Sequence, residues 1–222
     1  MKLVWSPEAA AKAYIDTVKS CKLHQESSVA ELISALAAGW DAKFIVETWL
    51  KGGAIETSVG LGIASRHTGA RHVCIVEDEE AKAEYLNSIK EAGTSSEEVV
   101  VGDAERVISE MDGVDFLVVD CRAEEFGEIL RQVKLGRRGA VLVCKNATGS
   151  GFGWRKVIES ERGGRLVRAA FLPVGKGLDI AYVGASRGGV VEEEERKKGE
   201  RRKRWIKHID QNSGEEHVII RR

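Results

Sequence analysis

Four acidic residues follow apolar runs of the sequence at positions where they could build a ligand site. Glu47, Glu77 and Asp120 each end a run of β-forming residues, and Asp103 follows another such run after one glycine. If the runs are parallel strands, their carboxyl ends meet at one edge of a sheet, where open α/β folds bind ligands. A carboxylate can accept hydrogen bonds from two donors at once. The pattern therefore predicts a ligand site at this edge.

The segments that would position these acids alternate between strands and helices. Two helices come first, one opened by Ser6-Pro7-Glu8 and one opened by the capping box Ser28-x-x-Glu31 and closed before Gly39. Strands are then predicted over 43–46, 72–76, 98–101, 116–119 and 140–144, and helices over 58–66, 79–92, 104–111 and 124–133. Apolar strands separated by helices indicate an α/β fold, a parallel sheet covered on both faces in a Rossmann-like sandwich.

The end of the chain breaks this alternation. Two β-rich runs, 166–174 and 178–185, are joined by Gly175-Lys176-Gly177, which predicts an antiparallel hairpin. A mostly parallel sheet that ends in such a hairpin is typical of class I methyltransferases and unusual in dinucleotide dehydrogenases. We expect one domain over 1–189, followed over 190–222 by a charged linker and a C-terminal β-hairpin.

In this order of elements and motifs, residues 27–185 resemble the small-molecule O-methyltransferases of the catechol and caffeoyl-coenzyme A type. The whole chain, including the ending RWIKHIDQNSGEEHV, resembles a plant family of methyltransferase-like proteins of unknown function. The resemblance implies S-adenosylmethionine as the cofactor. It leaves two functions open: methyl transfer to a small molecule, or ligand sensing and protein interaction by an inactive member of the fold.

The resemblance also implies roles for individual residues. Glu47 corresponds to the carboxylate near the cofactor's amino group, Glu77 to the acid that holds both ribose hydroxyls, and Gly102-Asp103-Ala104 to the tripeptide that contacts adenine. The predicted cofactor-binding set is Glu47, Gly52, Gly53, Ser58, Glu77, Gly102, Asp103, Ala104 and Asp120. The alternatives are an ordinary loop after Glu47, in which Trp49 and Leu50 replace the expected small residues, a solvated Glu77, and a helix cap at Asp103.

The residues at the ends of two predicted strands argue against a metal ion. In metal-dependent relatives the counterpart of Asp120 joins an Asp-Asn pair to hold a divalent cation, but here that pair reads Lys145-Asn146. An ammonium in place of a carboxylate repels a cation, so we predict no metal. Lys145 could pair with Asp120 instead, and these two residues are the candidate catalytic groups. The segment after Asp120 also lacks the family's lysine base.

Composition limits the classes of partner. A net charge of −1 and an aromatic fraction of 6% do not indicate a nucleic-acid binder, and no apolar stretch is long enough to span a membrane. We expect a soluble cytoplasmic or nuclear protein with a small-molecule ligand, and a protein partner or a homodimer is compatible with the sequence. The basic run 196–204 is either a solvated linker or a targeting signal. The four cysteines lack metal-site spacing and are expected to be reduced thiols.

Overall fold

The computed structural model describes residues 5–21, 27–93, 98–149, 153–158, 165–184, 204–209 and 216–221. The chain divides into two compact units, Met1–Arg187 and Gly188–Arg222. The first unit holds the α/β fold. In the second, strands β10 (Arg204–Ile209) and β11 (Glu216–Arg221) pair antiparallel. Residues 190–203 of the predicted charged linker lie outside the described residues. The domain boundary at 189 stays a prediction.

Helices α1 and α2 precede the first strand, as predicted. Helix α1 (Pro7–Ser20) begins after Ser6, whose side chain accepts a hydrogen bond from the backbone N–H of Ala9. Helix α2 (Ser27–Gly39) packs against both α1 and the third helix. A buried hydrogen bond of 2.9 Å from Thr17 Oγ1 to Ser34 Oγ joins α1 to α2. The two helices therefore form one layer over the sheet.

Strands and helices then alternate. The strands are β1 (Phe44–Thr48), β2 (Arg71–Val76), β3 (Glu98–Val101), β4 (Asp112–Val114), β5 (Phe116–Asp120), β6 (Lys134–Leu135), β7 (Ala140–Lys145), β8 (Arg165–Leu172) and β9 (Leu178–Gly184), and the helices between them are α3 (Glu56–Thr68), α4 (Glu79–Glu91), α5 (Ala104–Glu110), α6 (Phe126–Gln132) and α7 (Trp154–Ile158). Strands β4 and β6 and helix α7 are not predicted by the sequence pattern. These elements are only two to five residues long, too short for a periodic pattern.

One seven-stranded sheet carries the fold, in the order β3-β2-β1-β5-β7-β9-β8. The first five of these strands pair in parallel, and β9 pairs antiparallel with both β7 and β8. Two apolar clusters fill the space on the two faces of the sheet. The predicted sandwich and its closing antiparallel strands are confirmed. No helix among the described residues is long and apolar enough to cross a membrane.

Two details of α2 differ from the prediction. Ser28 lies inside the helix rather than at its cap, because the helix already includes Ser27. The helix also includes Gly39 instead of ending before it, and the residue with a left-handed backbone is Asp41, with a φ of 53°. Gly39 instead makes room for an indole, since a Cβ there would lie 2.3 Å from the ring of Trp5.

The two glycines inside α3 have different environments. A Cβ on Gly60 would lie 2.7 Å from the carbonyl oxygen of Ala30, so this glycine allows α3 to approach α2. A Cβ on Gly62 would meet nothing within 4 Å. Only Gly60 is therefore required by packing.

We expect Gly60→Ala to lower the free energy of unfolding by about 1–3 kcal/mol, because α2 and α3 must separate to admit the methyl group. Gly62→Ala is the matched control, and we expect it to raise stability by about 0.5–1 kcal/mol through its better helix propensity. Urea unfolding of both variants measures the difference. Equal effects at the two positions would contradict the packing role of Gly60.

Candidate functional site

Two cavities lie at the carboxyl edge of the sheet. The cavity that we call the Asp120 cavity has a volume of about 290 Å³ and lies between the loop after β1, the ends of β5 and β7, and the turn between β8 and β9. The Glu77 cavity has a volume of about 300 Å³ and lies at the ends of β1, β2 and β3. Both volumes are at the lower end of the range for small-molecule sites.

The sequence-predicted residues divide between these cavities. Gly52, Gly53, Asp120 and Lys145 line the Asp120 cavity. Glu77, Gly102, Asp103 and Ala104 line the Glu77 cavity. Glu47 and Ser58 line neither. Eight of the ten predicted residues therefore lie at the cavities, whereas Glu47 and Ser58 lie behind the cavities.

Asp120 is buried and held by directed hydrogen bonds. Arg122 donates from its backbone N–H to Oδ1 at 3.0 Å, and from its guanidinium to both carboxylate oxygens at 2.7–3.2 Å. The Asn146 amide donates to both oxygens at 2.9 Å. Burial raises the pKa of Asp120, but the hydrogen bonds from Arg122 and Asn146 outweigh it and hold that pKa below its ordinary value. Asp120 is therefore an anion whose oxygens are already engaged.

The role of Arg122 was not predicted from the sequence. Its signal was the spacing, because a cation two residues after a strand-end acid can fold back onto that carboxylate. Asn146 completes the arrangement with a left-handed backbone (φ 59°), which asparagine tolerates better than most residues. The turn after β7 thus directs the Asn146 amide at Asp120.

Lys145 lies beside Asp120 but is not hydrogen-bonded to it. The distance from Lys145 Nζ to Asp120 Oδ2 is 4.0 Å, and the lysine side chain is only 7% exposed. The predicted ion pair is therefore present, at a separation too long for a hydrogen bond. No described residue accepts a hydrogen bond from Nζ, so a buried ammonium lines the Asp120 cavity with no acceptor among the part of the chain that the structure describes.

The Glu77 cavity is lined by two acidic side chains and by a glycine turn. Glu77 follows β2 and is exposed, while Asp103 caps α5 by accepting a hydrogen bond of 2.8 Å from the N–H of Arg106. The cap engages one oxygen of Asp103, so the predicted cap and a ligand contact are compatible. Gly102 has a φ of 151°, which favours glycine at this turn.

Trp49 belongs to the wall of the Glu77 cavity rather than to the Asp120 cavity. Its ring meets that of Tyr85 edge to face, with centroids 5.4 Å apart. Among the described residues, neither its Nε1 nor the neighbouring Thr48 Oγ1 has a hydrogen-bond partner, although both atoms are buried. An unsatisfied buried polar group costs about 1–3 kcal/mol, so this wall carries two unmet hydrogen bonds.

Glu47 is fully buried in a cluster of polar side chains. Its carboxylate meets Ser58 Oγ at 3.0 Å, His72 Nε2 at 3.1 Å and Tyr85 Oη at 3.3 Å. Burial raises the pKa of Glu47, but His72 foremost, together with the Lys145 charge and Ser58, outweighs it and holds the pKa below its ordinary value. The cluster anchors β1, β2, α3 and α4 beneath the cavities.

Comparison with protein families identifies the chain at the level of its family. Residues 1–221 match the family described as "Protein of unknown function (DUF1442)". The chain belongs to this family. No curated protein matches the DUF1442 chain at a significant level.

Solved structures similar to the DUF1442 chain include several methyltransferases. The O-methyltransferase TomG from Streptomyces achromogenes, solved with SAM, is 20% identical over 82% of this chain and 92% of its own, with a TM-score of 0.55. The SAH-bound methyltransferase PaMTH1 from Podospora anserina is 15% identical over 80% and 88% of the two chains, with a TM-score of 0.55. An O-methyltransferase from Bacillus cereus with SAH is 16% identical over 82% and 93%, with a TM-score of 0.53. These likenesses establish a class I methyltransferase-like fold.

The donor set at Asp120 does not fit a divalent cation in this DUF1442 chain. Arg122 and Lys145 bring positive charge to the carboxylate, and Asn146 turns its N–H groups toward it rather than its oxygen. At about 4 Å and an effective dielectric near 20, one such unit-charge repulsion is worth roughly 4 kcal/mol. The prediction of a metal-free site therefore rests on these three side chains.

Proposed function

We propose that the chain binds S-adenosylmethionine along the carboxyl edge of the sheet and transfers its methyl group to a small molecule without a metal ion. The observation that carries this proposal is the adjacency of two cavities along one strand edge, one lined by Glu77 and Gly102 and the other by Gly53 and Asp120. In this proposal a nucleoside with an amino-acid extension has one end in each cavity. The fold supports the same cofactor, since TomG is solved with SAM.

In this proposal the Glu77 cavity holds the nucleoside. The exposed Glu77 carboxylate accepts from two ribose hydroxyls, and Asp103 accepts from the adenine amino group with the oxygen not engaged in the cap. The unpartnered Thr48 Oγ1 and Trp49 Nε1 lie in the wall of the same cavity, and a ligand oxygen or nitrogen reached by a small shift of the wall would satisfy them.

The loop after β1 would hold the amino-acid portion of the cofactor. Gly52 donates its N–H to Glu84 at 3.0 Å, and the N–H of Gly53 bonds to the Leu50 carbonyl at 2.7 Å, so the loop is fixed to α4 and to itself. Glu47 and Ser58 do not reach the cavity and would act by supporting this loop from beneath. The sulfonium of the cofactor supplies an electrophilic methyl group, and Asp120 would face it as a fixed negative charge.

The second candidate function is ligand binding without methyl transfer. The engagement of Asp120 by Arg122 and Asn146 favours it, because a carboxylate held in this way is a poor general base. An acceptor that must lose a proton would then not react. The two functions share the cofactor site and differ in chemistry alone. Cytoplasmic or nuclear location, a protein partner and a homodimer stay predictions.

Calorimetric titration with S-adenosylhomocysteine, with and without MgCl₂, tests cofactor binding. We expect micromolar affinity that Mg²⁺ does not change. Glu77→Ala is expected to weaken binding at least tenfold, because charged hydrogen bonds to the ribose are worth about 1.5–3 kcal/mol. Glu91→Ala, at an exposed position in the last turn of α4, is the matched control with unchanged affinity. Absence of binding, or a requirement for Mg²⁺, would contradict the proposal.

A further inference from the structure

The Lys145 ammonium lines the Asp120 cavity without a hydrogen-bond acceptor among the described residues. It lies at the carboxyl end of β7, its side chain is 7% exposed, and its nearest acidic oxygen is 4.0 Å away. A buried ammonium normally donates hydrogen bonds, because burying it unpaired is costly. Since no described residue accepts one from Nζ, a ligand oxygen in the cavity is the natural acceptor.

Further positive charge lines the same cavity. Arg122 is held against Asp120, and Lys176 is exposed in the turn between β8 and β9. Of the ionisable residues that line the cavity, three are cationic and two are acidic, Glu56 and Asp120. A small anion is therefore better matched to this cavity than a cation is.

Resting on the proposed function, we propose that the methyl acceptor is an organic carboxylate bound in the Asp120 cavity, with one of its oxygens hydrogen-bonded to Lys145. A carboxylate is already ionised at neutral pH, so it needs no general base to become a nucleophile. The engagement of Asp120 by Arg122, which argues against phenol or alcohol acceptors, does not impede a carboxylate.

The reaction balances without a proton transfer. The second oxygen of the carboxylate attacks the methyl carbon, the new O–CH₃ bond forms, and the carbon–sulfur bond of the sulfonium breaks. The sulfur keeps the electron pair of that bond. One anion and one sulfonium cation thus give a neutral methyl ester and a neutral thioether centre. The substrate class is an organic acid, and the product class is its methyl ester.

Binding of matched probes tests the acceptor class. Benzoate and cinnamate are titrated against the full chain in saturating S-adenosylhomocysteine, beside the neutral isosteres benzamide and cinnamamide. We expect at least one carboxylate to bind about tenfold or more tightly than its amide, since a charge-assisted hydrogen bond is lost in the amide. Equal affinities, or no binding of either carboxylate, would overturn the inference.

Variants then assign the effect to Lys145. Lys145→Met is expected to lower the affinity for the carboxylate probe about tenfold or more, and Lys145→Arg is expected to retain most of it because the charge is kept. Lys90→Met makes the same change at an exposed position of α4 and is the control with unchanged affinity. An unchanged affinity in Lys145→Met would overturn the assignment.

The outcomes separate this inference from the proposed function. If S-adenosylhomocysteine does not bind at all, the proposed function fails and the inference with it. If it binds but displaces the carboxylate probe, Lys145 serves the cofactor's own carboxylate and the inference alone fails. In a further experiment S-adenosylmethionine replaces S-adenosylhomocysteine. Mass-spectrometric detection of the methyl ester would then support both the proposed function and the inference.

Discussion

The variant Lys145→Asp is expected to bind Mn²⁺ under conditions in which the natural chain binds none. The substitution places a carboxylate at the end of β7, opposite Asp120 at the end of β5, and these two positions are register partners in the sheet. Asn146 follows directly and can present its amide oxygen after a side-chain flip. Oxygen ligands of this kind suit hard divalent cations.

The size of the effect follows from the charges. Near 4 Å and with an effective dielectric of about 20, changing the ammonium to a carboxylate turns a repulsion of roughly 4 kcal/mol per unit of metal charge into an attraction of similar size. Solvent screening reduces this energy difference. The remaining gain in affinity for Mn²⁺ is still expected to be several powers of ten. Arg122 competes for Asp120, so the double variant Lys145→Asp/Arg122→Ala is expected to bind Mn²⁺ more tightly still.

Electron paramagnetic resonance of free Mn²⁺ measures the affinity directly, and thermal unfolding with and without Mn²⁺ provides a second measurement. Without metal the two facing carboxylates repel, so Lys145→Asp is expected to unfold at a lower temperature and to be restabilised by Mn²⁺. Lys90→Asp is the control that adds a carboxylate at an exposed position. If Lys145→Asp binds no Mn²⁺, Lys145 is not what excludes the metal.

The fold was predictable because its pattern is local. Each apolar strand run, each helix stop such as Gly69 with a φ of 66°, and the glycine turn before β9 can be recognised within a few residues. The position of the acidic residues at the sheet edge was predictable for the same reason, because each follows a recognisable strand. The contact between α2 and α3 could not be predicted from local pattern, because the role of Gly60 depends on Ala30 in another helix.

The site was predictable only in part. Strand ends indicated which residues share an edge, and the structure brings Glu77 and Asp103 to one cavity and Asp120 and Lys145 to the other. Side-chain direction was not predictable in the same way. Glu47 ends no strand, since β1 continues to Thr48, and its side chain lies beneath the sheet edge among partners from three other elements. The importance of His72 therefore could not be foreseen from its spacing.

The variant His72→Leu is expected to lose about 3–5 kcal/mol of unfolding free energy at pH 7, because it leaves the Glu47 carboxylate buried beside an apolar side chain. For a chain of this size the loss corresponds to a drop of roughly 6–20 °C in melting temperature. Replacing both partners, in Glu47→Leu/His72→Leu, is expected to recover much of the loss, since no buried charge remains. His67→Leu removes an exposed histidine–aspartate contact and is the control, with a loss of at most about 1 kcal/mol.

The dependence on pH distinguishes a lost charge partner from a simple packing defect. In the natural chain the pKa of Glu47 lies below its ordinary value, so its stabilising contribution is complete above pH 5 or so and is lost as the pH falls through the folded-state pKa. In His72→Leu burial dominates and raises that pKa, so the contribution is present at low pH and is lost as the pH rises. The destabilisation by His72→Leu is therefore expected to grow between about pH 4 and pH 7 in urea unfolding. A loss independent of pH would assign His72 to packing alone. It would also contradict the view that a charged cluster supports the loop of the site.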